Sequence, residues 1–461
     1  MLDLLLINPP RQENGNFSLF NNSLLWLASY LEEKKLSVKV IFLRQNYQNV
    51  LIENLKKYQP KFVGISSKWW DTLYSSELIA RIVKDFNKDI FVFCGGQTAT
   101  WYSQEILDNT CFDAVIEGDA EVPLYNLITG KTPVNCKIKK NEILHSYPLN
   151  YVQTNETITG LKLSENIKDI FSDWKQITNY IWTGKGCALS CFFCGGGRVG
   201  QKEIFERKGY IFRPVEQVIN DIRITAELKN NLFMLDFDPL APAKTEFYKK
   251  LFKSLPKKKY SCEFYFWALP SDDFLDLISD TFSYLIFEFD IQIFSEPLRG
   301  KLARMNFIKP VFYTNEYFNS ILKKCLNKGN IAVNIAGLIG VPHETQEDIN
   351  EIYRYCDFLI KNFSNLYNIT LSPVIIEPGS PLLNNPEKYK VKCLRKNYHD
   401  FRNYTKNVFE NNQLDSPVDS FAEYLQYTGI VREGYDEELI YQECFKIQEE
   451  ITDRAHKNKI I

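Results

Sequence analysis

Short apolar segments alternate with helical patterns along this chain, in two series that an irregular polar stretch separates. The predicted strands of the first series are residues 2–7, 38–43, 62–66, 90–94 and 114–116. Predicted helices lie between them, for example over 23–35 and 75–86. Mostly apolar strands that alternate with helices form parallel sheets covered on both faces. Residues 1–135 are therefore predicted to form a flavodoxin-like, doubly wound parallel sheet of the α/β class.

The second series starts near residue 179. Its predicted strands are residues 180–183, 232–237, 262–268, 284–291, 331–339 and 369–376. Its predicted helices include residues 214–228, 244–254, 315–328 and 346–362. Six strands with helices between them fit a partial (β/α)6 TIM barrel over residues 176–388. The chemistry of such a barrel lies at the C-terminal ends of its strands.

Two stretches lie outside these series. Residues 136–175 are irregular and polar, and they are predicted to be a linker with a hairpin at 136–145. Residues 389–461 are charged and helical in pattern, which predicts a small helical C-terminal region. Both a substrate lid and a simple helical cap fit that pattern.

Charge and hydropathy exclude several classes of partner. The chain has 55 basic and 57 acidic side chains and no basic stripe, so nucleic acid is not an expected partner. Its apolar runs are too short to span a bilayer, and no secretory leader opens the sequence. The protein is therefore expected to be cytoplasmic.

Three cysteines form a tight group directly after the first strand of the second series. Cys187, Cys191 and Cys194 are spaced C-x3-C-x2-C, with glycines on both sides, whereas the other eight cysteines are scattered. Thiolates are the usual ligands of iron–sulfur clusters, and three of them leave a fourth iron open. A zinc site generally needs a fourth ligand, which no nearby His or Cys supplies, and unrelated structural cysteines are the other alternative. The spacing predicts a 4Fe-4S cluster.

This motif at the first strand of a partial barrel resembles the radical S-adenosylmethionine (SAM) enzymes, over about residues 176–385. The resemblance implies that the open iron binds the amino and carboxylate groups of SAM. An electron from the cluster would then cleave the sulfonium to methionine and a 5′-deoxyadenosyl radical, so the cofactor supplies the radical chemistry while the protein positions it.

The resemblance also implies a set of SAM-binding residues. Phe193 stands where the family has an aromatic that packs by the adenine, and Gly337 and Gly340 lie in the segment along the adenine. Asp236 or Asp238 would contact the methionine amino group, although Asp-Phe-Asp departs from the acid pair or Gly-Gly-Glu of many members.

The ends of the fourth and sixth strands complete this set. Gln292 and Ser295 stand at the ribose-contacting position, and Glu377-Pro-Gly-Ser-Pro381 resembles the end of the sixth strand. No catalytic acid or base is predicted.

The N-terminal part resembles the cobalamin-binding domain that precedes the barrel in the class B methylase-like branch. Asn8-Pro-Pro10, Cys94-Gly-Gly-Gln-Thr98 and Glu117-Gly-Asp-Ala-Glu121 resemble its three loops. The pattern Asp-x-His-x-x-Gly is missing, and residues 1–144 contain no histidine, so any cobalamin would have no His ligand from this domain. Trp69 and Trp70 could cover the lower face of the cobalamin or serve as core or interface packing. A flavodoxin-like domain without a cofactor is the alternative.

With both cofactors, the resemblance implies cobalamin-dependent methylation of an unactivated carbon, with a second SAM remethylating the cobalt. The alternatives are a cobalamin-independent radical SAM enzyme and a cobalamin or cluster sensor. The expected substrate is a small molecule or peptide bound between the domains, where Trp267 and Tyr265 could line the pocket. The expected electron donor is a flavodoxin or ferredoxin.

Overall fold

A computed structural model of the protein describes residues 2–13, 22–140, 143–154, 160–173, 179–207, 209–228, 232–236, 242–307, 313–411, 420–443 and 446. At residues 171–173, 179, 236 and 242–245 it describes the backbone alone.

The first sheet begins with parallel strands in a doubly wound order. They are β1 (Leu4–Asn8), β2 (Val38–Phe42), β3 (Phe62–Ser66), β4 (Phe91–Gly95) and β5 (Ala114–Ile116). Their order is β2-β1-β3-β4-β5, so the flavodoxin-like prediction is confirmed. The helices of this part are α1 (Asn22–Glu33), α2 (Tyr47–Tyr58), α3 (Leu73–Phe86), α4 (Gln97–Trp101), α5 (Ser103–Asn109) and α6 (Glu121–Thr129).

An antiparallel hairpin extends this sheet beyond β5. β6 (Cys136–Lys140) pairs with both β5 and β7 (Ile143–Tyr147). The hairpin expected within the linker is therefore part of the first sheet. Helix α7 (Glu165–Asp173) follows, and the side chain of Asn166 accepts a hydrogen bond from the amide of Val40 in β2 at 3.0 Å. The polar composition of this stretch did not reveal that β6 pairs with β5. The domain boundaries drawn from the sequence stay predictions.

The second sheet is a parallel partial barrel in the described part of the chain. Its strands are β8 (Asn179–Trp182), β11 (Leu232–Asp236), β12 (Ser261–Phe266), β13 (Tyr284–Gln292), β14 (Ile331–Ile339) and β15 (Leu366–Pro373). Each strand pairs with the next, in the order β8-β11-β12-β13-β14-β15. A short antiparallel ribbon of β9 (Gly184–Lys185) and β10 (Ile211–Phe212) follows β8. The predicted six-stranded barrel is confirmed.

Helices cover the outer face of this barrel. Helix α8 (Arg198–Phe205) instead contacts α4 of the first domain. The helices on the barrel are α9 (Val215–Leu228), α10 (Pro242–Lys253), α11 (Asp272–Thr281), α12 (Glu296–Arg304), α13 (Asn315–Lys328) and α14 (Gln346–Asn362). Sequence signals fix the start of α14, where Thr345 and Asp348 form a capping box. Phe287 and Phe289 of β13 are buried against these helices, whereas Glu288 and Asp290 alternate onto the half-buried inner face.

The C-terminal region combines helices with a small ribbon. It follows α15 (Pro381–Asn384) and a 3-10 turn (Pro386–Tyr389), and it contains β16 (Val391–Cys393), α16 (Tyr398–Glu410), α17 (Phe421–Thr428) and β17 (Ile430–Arg432). β16 and β17 pair in antiparallel fashion, which the helical prediction did not include. No helix in the described ranges is long and apolar enough to cross a membrane.

A buried arginine joins the first domain to the barrel. Arg213 donates to the carbonyl of Trp182 at 2.7 Å and pairs with Asp221 of α9 at 2.9 Å. Its guanidinium also lies over the ring of Trp26 in α1, 4.2 Å from the centroid. Asp221 in turn accepts from the amide of Leu161 at 2.8 Å. Four separate parts of the chain therefore meet at one ion pair.

Replacing Arg213 by Met is expected to lower the free energy of unfolding by about 3–5 kcal/mol, because the buried carboxylate of Asp221 loses its charge partner. Urea unfolding followed by circular dichroism measures this change. The double substitution Arg213→Met with Asp221→Leu is expected to recover most of the loss. Equal stability of the single and double variants would contradict the expectation.

Candidate functional site

A cavity lies where the carboxyl edge of the first sheet faces the start of the barrel. Its volume is about 580 Å³. One side is formed by residues at or near the ends of β1, β3, β4 and β5, and the other includes residues 184–187, Cys194 and Trp267. Ligands of doubly wound sheets bind outside the carboxyl ends of the strands. The carboxyl edge of the first sheet and the loop that carries the three cysteines, here called the thiol loop, therefore line the same cavity.

The three predicted thiols lie in the loop between β9 and α8. Cys191 is buried, whereas Cys187 and Cys194 are half-buried and line the cavity. Burial, the carboxylate of Glu377 and the two neighbouring thiols all raise the pKa of the Cys194 thiol, so ligation of a metal would release its proton. Among the described residues, no three His, Cys, Asp or Glu side chains form a finished metal site. The loop gathers the thiols in one neighbourhood, and their role as ligands stays a prediction.

The segment after β15 closes tightly on this thiol loop. The amide of Gly195 donates to Glu377 Oε2 at 2.8 Å, across 182 residues of sequence. A Cβ atom at Gly195 would lie 2.1 Å from the carbonyl oxygen of Pro378, so only glycine fits there. Glu377 also lines the cavity. Glu377 was expected at the end of the sixth strand, but its contact with the thiol loop arises only in the folded chain.

A β-bulge directs Gln292 towards the thiol loop. The register between β13 and β14 shifts between Asp290 and Gln292, and Gln292 has a left-handed φ of 59°. Bulges of this kind re-aim side chains next to active sites. Gln292 is buried, and its Nε2 donates to Cys191 Sγ at 3.5 Å. The structure thus places Gln292 beside a predicted cluster ligand, and its contact with the ribose stays a prediction.

Aromatic packing anchors the thiol loop. Phe193 packs edge-on against Phe192, with 5.2 Å between the ring centroids. Phe192 is fully buried and stacks on Tyr389 at 5.5 Å. Phe193 is therefore fixed beside the predicted cluster, and its contact with adenine stays a prediction.

Ser295 has partners on two helices. It is fully buried and caps α12 by accepting from the amide of Leu298 at 3.4 Å. Its hydroxyl also donates to Asp348 Oδ1 in α14 at 2.6 Å. In this arrangement the hydroxyl orients the starts of α12 and α14, and its contact with the ribose stays a prediction.

The two glycines of the predicted adenine segment are closely packed. A Cβ atom at Gly337 would lie 2.2 Å from the ring of Phe294. Gly340 has a φ of 74°, and a Cβ atom there would lie 1.9 Å from the guanidinium of Arg432. Arg432 donates a hydrogen bond to the Gly340 carbonyl, which the sequence analysis did not foresee. Both positions need glycine for contacts within the protein, whatever they contact in a ligand.

The predicted methionine-binding acids lie at the limit of the described chain. Asp236 ends β11, and its backbone pairs in register with Trp182 of β8. The side chain of Asp236 and the whole of Asp238 fall outside the described residues.

Carboxylates of the loop after β5 bind the barrel. Arg207 donates to both oxygens of Asp119, at 2.7 and 2.6 Å. Lys185 pairs with Glu121 at 2.9 Å and with Asp119 at 3.4 Å, and all four residues line the cavity. Burial alone would raise the pKa of Asp119, but Lys185 and Arg207 outweigh it and hold this pKa below its usual value. The sequence singled out this loop as a ligand loop but not its partners in the barrel.

The two neighbouring tryptophans have different surroundings. Trp69 is exposed to 39% and lines the cavity, next to Trp182. The Lys68 ammonium lies between these two rings, 5.1 Å from the Trp69 centroid and 4.2 Å from the Trp182 centroid. Trp70 instead packs against Phe401 of α16, with 6.0 Å between the centroids. Trp70 therefore packs at the interface with α16. Of these two tryptophans, Trp69 is the one that lines the cavity in which a cofactor would lie.

The residues present fit both implied cofactors. Three thiols in one loop are the donor set of a 4Fe-4S cluster with one open iron. The cavity wall at the first sheet includes the apolar side chains Leu6, Leu24, Phe93 and Ile116. Because residues 1–144 supply no imidazole, the fit is to a cobalamin without a His ligand from this domain. Of the described residues that line the cavity, none lies beyond Glu377.

Two family profiles match the chain and together cover more than half of it. The B12 binding domain matches residues 16–128, and the Radical SAM superfamily matches residues 182–356. These segments coincide with the first sheet and with most of the partial barrel.

Two solved structures share the fold. One is the radical SAM methyltransferase TsrM from Kitasatospora setae with cobalamin and a 4Fe-4S cluster bound, which is 16% identical, with a TM-score of 0.69 over 97% of this chain and 91% of that chain. The other is the cobalamin-dependent SAM radical enzyme OxsB with aqua-cobalamin bound, which is 14% identical, with a TM-score of 0.66 over 100% of this chain and 72% of that chain. At these identities the likeness shows the fold alone.

A curated relative matches a shorter segment. Over 155 residues the chain is 26% identical to the uncharacterized methyltransferase PH0819 from Pyrococcus horikoshii. The match covers 30% of this chain and 32% of that protein, so it spans about a third of the length of the relative.

The buried carboxyl of Glu344 gives a prediction for the pH dependence of stability. It accepts from the amide of Gly340 at 2.7 Å, and burial raises its pKa from 4.5 to about 8. A raised pKa means that the protonated carboxyl stabilises the fold below pH 4.5, and this contribution is lost as the pH rises through about 8. The melting temperature of the metal-free chain is therefore expected to fall between about pH 5 and 8, and Glu344→Gln should reduce that slope. An equal slope in both proteins would refute this expectation.

Proposed function

We propose that this chain, which belongs to the radical SAM enzymes that carry a cobalamin-binding domain, methylates an unactivated carbon of its substrate. One observation carries the proposal. The carboxyl edge of the first sheet and the thiol loop with Cys187 and Cys194 line the same cavity. A cobalamin and a cluster at those positions would face one substrate space.

Within this proposal, Cys187, Cys191 and Cys194 would hold the 4Fe-4S cluster and would leave one iron open for SAM. When bound, the cluster supplies the electron that cleaves SAM to a 5′-deoxyadenosyl radical, and the cobalamin supplies the methyl group. The protein positions these groups and excludes water from them.

The residues around the thiols orient the loop. Gln292 donates to Cys191 Sγ, and Glu377 accepts from the Gly195 amide. Hydrogen bonds to cluster sulfurs and the charge near a cluster are two of the factors that set its reduction potential. Gln292 and Glu377 are therefore proposed to tune the cluster as well as to hold its loop.

The substrate is proposed to be a small molecule or peptide that enters between the two domains. Trp267 lines the cavity on the barrel side. Tyr265, two residues earlier, donates to Glu288 Oε1 at 2.8 Å on the inner face of the barrel. A polar inner face beside an aromatic wall can orient a substrate through a few hydrogen bonds. A flavodoxin or ferredoxin is proposed as the electron donor, in the cytoplasm.

The proposal is tested with protein purified without oxygen, reconstituted with iron and sulfide and incubated with hydroxocobalamin. Cobalt retained per chain and 5′-deoxyadenosine formed from SAM under reduction are then measured. Both are expected for the wild-type protein, and alanine at position 187, 191 or 194 should abolish bound iron and 5′-deoxyadenosine because three ligands are needed to hold the cluster.

The exposed thiol of Cys111 provides the matched control, since Cys111→Ala should retain full iron and turnover. Turnover without cobalamin retention would replace the proposal with a cobalamin-independent radical enzyme. Retention without turnover would replace it with a sensor. Full iron in the Cys187→Ala protein would remove the assignment of the cluster.

The missing histidine gives a separate expectation for the bound cobalamin. Residues 1–144 offer no imidazole, so no nitrogen of this domain should coordinate the cobalt. Uniform 15N labelling of the protein is therefore expected to leave the electron paramagnetic resonance spectrum of the cobalt(II) form unchanged. A change of the nitrogen splitting on labelling would show a protein ligand and contradict the expectation.

A further inference from the structure

The C-terminal region contacts both domains, and none of its described residues lines the cavity. We call residues 389–411 and 420–437 the clasp. On the first domain, Tyr398 of the clasp donates to the buried Glu77 of α3 at 2.5 Å, and Arg402 pairs with the same carboxylate at 2.7 Å. On the barrel, the amide of Ile376 donates to the Thr428 carbonyl of the clasp at 2.9 Å. The clasp therefore fixes the two domains to each other.

One arm of the clasp ends at the loop after β3. The ring of Trp70 lies 5.7 Å from that of Tyr404 and 6.0 Å from that of Phe401. The buried guanidinium of Arg395 lies 4.2 Å from the Tyr404 centroid and 5.5 Å from the Trp70 centroid. Trp70 therefore has three partners in one aromatic and cationic cluster, in which the rings attract one another and the guanidinium is attracted to the ring faces.

The residue before Trp70 faces the cavity. Trp69 lines it, and the carbonyl of Trp69 accepts from the Thr72 hydroxyl at 2.9 Å and from the Thr72 amide at 3.2 Å. A turn closed by two hydrogen bonds transmits the position of Trp70 to Trp69. The cavity wall at Trp69 therefore depends on packing against the clasp.

The other arm ends at the loop after β14. Arg432 is buried to 98% and donates to the Gly340 carbonyl. The same guanidinium pairs with Glu437 and donates to Tyr424 Oη at 3.1 Å. The amide of Gly340 donates to Glu344, so both polar backbone groups of Gly340 are held. The backbone predicted to lie along the adenine is thus fixed from the clasp side.

We propose that the clasp positions the two cofactor sites separately, with Tyr404 acting through Trp70 on the cobalamin site and Arg432 acting through Gly340 on the SAM site. This inference rests on the proposed function. Tyr404 and Arg432 are positioning residues, since neither lines the cavity in the described structure. A cap that only stabilised the fold would affect both sites together.

The test uses full-length, reconstituted Tyr404→Leu and Arg432→Lys proteins. The lysine keeps a positive charge beside Glu437, so the fold should survive. It cannot donate to Glu437, Tyr424 and Gly340 together, so part of the hydrogen bonding of the arginine is lost. Equilibrium binding of SAM and cobalt retained after gel filtration are measured for each protein. Arg432→Lys is expected to raise the SAM dissociation constant about tenfold at unchanged cobalt retention, as for loss of one charge-assisted hydrogen bond. Tyr404→Leu should lower cobalt retention severalfold at unchanged SAM affinity.

Two surface variants are the matched controls. Arg354→Lys changes an exposed pair with Glu347, and Tyr317→Leu changes a ring that is 48% exposed. Both should behave as wild type in both measurements, with melting temperatures recorded for all proteins.

Three results would overturn the inference. The first is that each clasp variant weakens both sites equally, as general destabilisation would. The second is that neither variant differs from its control. The third is that the wild-type protein retains no cobalamin and binds no SAM, in which case the proposed function falls as well. A wild-type protein that binds both, with unaffected variants, removes the inference alone.

Discussion

The buried ion network between the loop after β5 and the barrel is the constraint on which the site depends. Asp119 and Glu121 of the first domain form ion pairs with Lys185, which precedes the thiol loop in sequence. Asp119 also pairs with Arg207, which follows that loop. A buried carboxylate without a partner is costly, so the network favours the relative position of the two domains in which these pairs form. The cavity exists because this position is fixed. Its net contribution to the free energy of unfolding is small, since desolvation offsets much of the attraction.

Elements far apart in sequence complete the thiol loop. Lys185 precedes it, Gln292 reaches it from a bulge at the end of β13, and Glu377 binds its backbone from the segment after β15. Loops at the carboxyl ends of barrel strands can be varied without disturbing the barrel, which is why such contacts gather there. The carboxyl edge of the first sheet lies across the cavity from the thiol loop. Two cofactor sites of different chemistry can therefore share one space.

The C-terminal region shows how a segment outside the site can shape it. Its helix α16 is held on α3 through Glu77, and its ribbon places Arg432 against Gly340. The sequence offered a lid or a cap for this region, and both fit a charged helical pattern equally well. In the described residues Tyr398 is buried and Trp70 packs against Phe401, so this region packs on the first domain. The region is best described as a connection between domains.

The sequence by itself determined the parallel strands of both sheets, the bounds of six helices to within about two residues and the group of three thiols. Periodicity and caps such as Thr345 are local, and C-x3-C-x2-C lies within eight residues, so neither needs the tertiary structure to be recognised. Only the tertiary structure paired the hairpin after residue 135 with β5 and separated the roles of Trp69 and Trp70. It alone also brought Arg207, Glu377 and Arg432 to their partners. Those contacts join residues far apart in the chain, and their energies depend on burial and on the geometry of the partner, which no local pattern encodes.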